Sequence, residues 1–235
     1  MNRSVDYGTR QIAFSLDRRA RKTMDITVDP QGDVVVVAPI DTPEEDIAAR
    51  VRQRGRWIVS QQRYFSQFRP RSTPRQWVFG ETHLYLGRQH RLRIGDASAL
   101  PSVHRSPGVL LVNGVEFNDS RQLQRIVLAW YRQRATELFS LRLHHCIQRF
   151  DDRSITPDSM TIRVMNSRWA SMSTAGRLSI NPLLVRARVS EIDYVITHEL
   201  VHRAHPHHGP EFWAMLEAVM PDHAIRKMRL ERMLS

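Results

Sequence analysis

Cysteine is nearly absent from this sequence. Its 235 residues include one, Cys146, so no disulfide can form within the chain and nothing marks an oxidising compartment. That thiol reads as a buried structural one. Lysine is almost as scarce, with Lys22 and Lys227 the only two among 35 basic residues. No segment approaches the ~20 consecutive apolar residues of a transmembrane helix. The N-terminus has no apolar run of signal-peptide type. Together these absences point to a cytoplasmic protein with no membrane partner. Acidic residues are also short, 24 against 35 basic ones, for a net charge of +11. Such an excess favours polyanions, nucleotides or nucleic acid among them. The arginines are spread along the chain, however, and a solvated arginine-rich surface accounts for the charge equally well.

What is present falls into two regimes. Residues 10–40 alternate as strands do, with Ile12, Phe14 and Leu16, then Met24, Ile26 and Val28, then the run Val34–Val37 after the turn at 30–33. This predicts a small antiparallel sheet, with the basic stretch Arg18–Lys22 at its first connection. Thr42, Pro43 and Glu45 form a capping-box signature, and a helix is expected from there towards Phe65, weakened at Gly55. Residues 69–75 form a basic, proline-bearing linker. Strands resume over 76–117, starting at Trp77 and Phe79, and Asn113-Gly114 marks a tight turn. From Ser120 apolar residues recur at three and four, which predicts a long helix ending near Arg149. His144 and His145 lie near its end, where cations suit the helix dipole. Strands are expected at 161–164 and 178–180, then a helix over 189–204 and another over 212–220. The division expected is a β-rich subdomain, 1–117, followed by a second domain, 118–235, and the fold class is α+β.

The helix at 189–204 carries His198-Glu199-x-x-His202. Positions i and i+4 lie on one helical face, so both imidazoles can converge on one Zn²⁺. Glu199 is rotated off that row, where it can act on a water as general base. A catalytic zinc usually keeps a third protein ligand. Pro206 disfavours helix in the residue before it, and the turn that follows offers His208, with His205 and His207 as competitors.

The segments Arg168–Ser173, Leu178–Asn181, Ile192–His202 and His208–Trp213 resemble the YgjP-like family of zinc-dependent metallohydrolases, grouped with M48-type and SprT-like zincin metallopeptidases. Weaker likeness extends through Val36–Pro39, Trp57-Ile58 and Phe79-Gly80, so nearly the whole chain is covered. The resemblance implies a zincin-like catalytic domain after the β-rich subdomain, Zn²⁺ on His198, His202 and His208, and Glu199 as the catalytic residue. The family usually has glycine and cysteine where this chain has Ala170 and Met172.

The reading that follows is a zinc-dependent hydrolase of metallopeptidase type, acting on a peptide or protein. Arg168 is assigned to the site, stabilising an oxyanion or binding a phosphate, and Trp169 to packing. Asp222 or His223 is assigned to orienting a ligand imidazole. Two rivals use the same residues: hydrolysis of a nucleoside triphosphate to release pyrophosphate, and a nucleic-acid-associated protein that binds zinc.

Overall fold

The structure, a computed structural model, describes residues 2–29, 32–66, 75–165 and 168–234. It is an α+β protein with three small sheets and six helices among those residues. The chain divides into two compact units, Met1–Ser72 and Thr73–Leu234.

In the first unit, β1 (Asn2–Tyr7), β2 (Arg10–Arg19), β3 (Asp25–Val28) and β4 (Val34–Pro39) form a sheet ordered β1-β2-β4-β3. The alternation of β4 buries Val34, Val36 and Ala38. The expected sheet was antiparallel throughout; instead β2 and β4 are parallel. The β3–β4 hairpin folds back so that β4, not β3, lies against β2, and side-chain alternation does not distinguish the two arrangements. The strand β1 had no forecast. The helix expected as one piece is two, α1 (Glu44–Gln53) and α2 (Gly55–Ser66). A Cβ at Gly55 would lie 2.3 Å from the Tyr7 ring, so glycine permits this close approach at the break. The capping box also differs. Pro43 is the N-cap and no side chain caps it; Arg18 donates to the Thr42 carbonyl and Arg3 pairs with Glu44. Ile47, Val51 and Ile58 pack on the sheet side of these helices and complete a core of ten buried residues. The linker at 69–74 and the turn residues 30–31 lie outside the described residues.

The second unit opens with β5 (Thr82–Tyr85), β6 (Arg88–Ile94), β7 (Ser102–Ser106) and β8 (Val109–Asn113), ordered β5-β6-β8-β7, again with a parallel central pair. No strand forms at Trp77–Phe79. Glu81 accepts from the Gln76 and Trp77 N–H groups, and Trp77 has a φ of +57°. Helix α3 (Ser120–Ile147) starts where the Asp119 carboxylate accepts from Gln122 N–H at 2.8 Å. Its buried stripe of Leu123, Val127, Trp130, Tyr131, Ala135 and Phe139 shares one core with Leu92, Leu110, Val112 and Val115. That shared core is why the units divide at 72 and 73 and not at the expected 117 and 118.

A third sheet, ordered β10-β11-β9, comprises β9 (Ser159–Ile162), β10 (Ala170–Met172) and β11 (Arg177–Ile180). Helices α4 (Val189–Ala204), α5 (Pro210–Val219) and α6 (His223–Leu234) follow. Cys146 is fully buried on α3, as expected, and burial pushes its thiol up to about 11. His144 and His145 are exposed and belong to no ligand cluster among the described residues. No described helix is long and apolar enough to cross a membrane.

Candidate metal centre

Helix α4 is buried on almost every side, from Glu191 through Val201, as befits a helix at the centre of a core. Asp193, 4% exposed, fixes it to α3. The Arg142 guanidinium donates to both Asp193 oxygens at 2.7 Å, and Arg149 approaches one of them at 3.5 Å. This forked pair sits one turn before the histidines and sets the helix's position along α3.

His198 and His202 lie one above the other on α4. The helix ends at His205, and the chain turns through Pro206 so that His208 returns to the pair. His208 Nε2 is 3.1 Å from His198 Nε2, and one nitrogen from each of the three rings lies within 4.8 Å of the others. His205 and His207 are not in this group. His205 contributes through its backbone instead: its carbonyl accepts from His202 Nδ1 at 3.1 Å. That bond places the His202 proton on Nδ1 and leaves Nε2 as the free lone pair. The carbonyl is available because the helix has stopped; one more turn would engage it. Neither Asp222 nor His223 performs this role, since Asp222 pairs with Arg226 and His223 stacks on Trp213.

Two aromatic residues that the sequence offered only as the start of a helix support the cluster. Phe212, fully buried on α5, touches all three imidazoles at centroid distances of 4.9, 4.6 and 4.6 Å. Trp213 stacks on His208 at 5.5 Å. The only spacing signal was their position directly after the turn.

Burial holds His198 down to about 3, with the neighbouring histidines adding to the effect. Burial also lowers His202, against the bond from His205, and lowers His208. All three are therefore neutral at pH 7, the state in which imidazole binds a metal. Lys227 on α6, itself lowered by burial, adds positive charge near His198 and His208; nothing in the sequence pointed to it.

Glu199 is 8% exposed. Burial pushes its carboxyl up to about 7, while the Met172 N–H and the Arg168 charge pull it back. The N–H bond is 2.7 Å to Oε2 and ties the carboxylate to strand β10. Arg168 is exposed and acts on Glu199 through charge. Ala170 is a buried β10 residue without positive φ, so its backbone does not call for glycine. Trp169 packs against the core.

A metal ion fits this arrangement. Two facing, neutral Nε2 atoms at 3.1 Å are close to the roughly 3.3 Å expected between tetrahedral ligands with Zn–N bonds of about 2.0–2.1 Å. The His202 tautomer is preset, and the donors are those that zinc prefers. His198 Nδ1 is buried with no hydrogen-bond partner, so the lone polar contact of that ring is its Nε2.

The sequence profile of the YgjP-like metallopeptidase domain matches residues 22–233. The chain belongs to the YgjP-like family. Its metallopeptidase-type domain implies a metal cofactor, and among the described residues His198, His202 and His208 form a group that could hold one. Among solved structures, the zymogen of the metallopeptidase abylysin from Pyrococcus abyssi is similar over 38% of this chain and 87% of its own, at 21% identity and a TM-score of 0.33. No curated protein matches the sequence.

Proposed function

We propose that this YgjP-like chain is a zinc-dependent peptidase whose ligands are His198, His202 and His208 and whose general base is Glu199, on a zincin-like domain. The observation that carries this reading is the pairing of three converging neutral histidines with a buried carboxylate held beside them by β10. Zinc, when bound, supplies Lewis-acid activation of a water and charge stabilisation. The chain's own residues supply the rest. Glu199, with its carboxyl near neutrality, accepts the proton of the attacking water and returns it to the departing amine. Arg168 offers a guanidinium to the oxyanion that develops.

Strand β10 supports an extended substrate. It is an edge strand, and Trp169 C=O and Ser173 N–H are bonded on the β11 side. By alternation Ala170 turns its N–H and C=O outward, as does Met172, whose N–H reaches Glu199. A peptide laid along β10 would pair with Ala170 beside the general base. The pyrophosphatase rival has no comparable feature to favour it.

The test is elemental analysis followed by a substrate panel. The purified parent should carry about one zinc per chain, and His202→Ala or His208→Ala should lose it. Glu199→Gln should retain zinc while peptide cleavage falls by roughly 10²–10⁴-fold. Release of pyrophosphate from nucleotides without peptide cleavage would replace the peptidase reading with its rival. Full activity in Glu199→Gln would remove the general base.

A further inference from the structure

The sheet that opens the second unit has one bare edge. At β5 the rim is covered: Leu84 C=O accepts from Tyr131 Oη–H at 2.6 Å, and Leu86 N–H donates to Val185 C=O at 3.0 Å. At β7, on the opposite rim, the geometry differs. Gly95 N–H donates to Val112 C=O at 2.8 Å, so Val112 turns its backbone towards β6. Leu111 therefore turns towards β7, where it is opposite His104. By alternation Val103 and Arg105 direct their N–H and C=O groups away from the sheet. They have no backbone partner among the described residues. An uncovered edge of this kind is a template for another strand.

Beside that edge lies an open groove of about 390 Å³. Val103 lines one side. The other is a single stripe of α3, with Arg125, Ile126, Ala129, Trp130 and Gln133 among its members, spaced three and four apart. The floor is apolar, and Arg125 is the charged residue that lines the groove. Arg125 is exposed, and Arg105 on the edge itself lies over the Tyr85 ring at 5.7 Å. No carboxylate lines the groove, and Glu137 further along α3 is held by Arg134 at 2.7 Å.

We propose that β7 and the facing stripe of α3 form a docking groove for an extended, acidic segment of a partner protein, which adds to the sheet as a fifth strand. Extended backbone is required because the outward groups recur every second residue, and they include acceptors as well as donors. Alternate side chains of the guest would rest on Ile126, Ala129 and Trp130, and a carboxylate among them would meet Arg125 or Arg105. A nucleic-acid strand satisfies the arginines but has no regularly spaced donors for the Val103 and Arg105 carbonyls. The groove shares no residue with the histidine site, so the inference stands apart from the peptidase reading.

Fluorescence anisotropy on the full chain tests it, with a labelled peptide of alternating valine and glutamate as the probe. The parent should bind it saturably, and binding should weaken as salt rises. Arg125→Glu, an exposed substitution that leaves the core intact, should weaken binding by about tenfold or more, whereas Arg125→Lys should retain most of it. Arg105→Pro, which deletes an outward N–H without breaking a bond to β8, should weaken it by a similar factor. Absence of saturable binding to the parent, or equal binding by Arg125→Glu, overturns the proposal. So does a single-stranded oligonucleotide that displaces the peptide and outbinds it, which would make the groove a nucleic-acid site. Sedimentation showing a parent dimer that Arg105→Pro dissociates would assign the edge to a second copy of this chain.

Discussion

Glu231 on α6 is a carboxyl in surroundings that suit its neutral form. Its Oε2 is buried with no hydrogen-bond partner among the described residues, and burial pushes the group up to about 7 from 4.5. Between those values the folded chain retains a proton that the unfolded chain has lost, so stability falls as pH rises through this window. Glu231→Gln should therefore leave Tm unchanged below pH 4.5 and raise it above pH 7. Discounted for a partly buried group, the gain is about 1 kcal/mol, or roughly 2–4 °C. Thermal melts across that range check the sign; a variant less stable at pH 8 than the parent would show that the carboxylate has a stabilising partner. At this scale the sequence was legible where chemistry and helical period coincide. His198, Glu199 and His202 follow from i, i+4 spacing, and Pro206 forecasts the turn that returns His208. The His205 carbonyl was not legible, because a backbone acceptor has no letter of its own. Phe212 and Lys227 were not either, since their roles depend on how α5 and α6 pack onto α4.

Among the elements, α4 was legible to its ends, and the reason is the density of apolar residues on every face between Val189 and Val201. Its attachment to α3 was not, because Arg142 and Asp193 are 51 residues apart. Asp193→Ala should leave two arginines facing a buried gap and cost about 3–5 kcal/mol, measured by urea unfolding. Arg142→Lys should recover only part of the parent's stability, since an ammonium replaces a forked pair with a single point of contact. The β10–β11 turn makes a second prediction. Gly176 has a φ of +68°, and a Cβ there would lie 2.2 Å from Arg203 Nη1 and 2.3 Å from Asp158 Oδ2. Gly176→Ala should cost about 1–2 kcal/mol and loosen β10, whose Met172 N–H steadies Glu199. Zinc content should stay at the parent's level while kcat falls; a loss of zinc would place the damage in α4 instead. Strand positions were mostly legible from alternation, but pairing was not. All three sheets contain a parallel pair, and a parallel neighbour leaves the same pattern of buried and exposed side chains as an antiparallel one.

In the whole molecule, the two units have separate cores, one around Val36 and Ile47 and the other around Tyr131 and Leu200. The proposed metal site belongs wholly to the second. Calorimetry should therefore resolve two transitions, and zinc at 100 times its Kd should add about 2.7 kcal/mol to the second alone. One transition that shifts as a whole on adding zinc would mean that the units unfold together. The sequence separated a β-rich first part from a helical second part but put the division too late, because composition changes at residue 118 whereas the shared core begins with the strands before it. The arginine excess is spread over many separate contacts, and among them Arg142 and Arg149 meet the buried Asp193 while Arg125 lines the groove.

The strand order of the two four-stranded sheets is the same, β1-β2-β4-β3 and β5-β6-β8-β7, and this bears on the timing of assembly. Each is a pair of hairpins joined along a central parallel seam. A hairpin closes within roughly 1–10 μs, whereas the seam must wait for two of them and for the loop that joins them. Everything the first sheet needs is contained between Asn2 and Pro39. Synthesised from the N-terminus, the chain can pair those strands before the first histidine of the proposed metal site has been made. The histidines of the proposed site come later in the chain, on a helix preceded in sequence by its supporting strands and by α3.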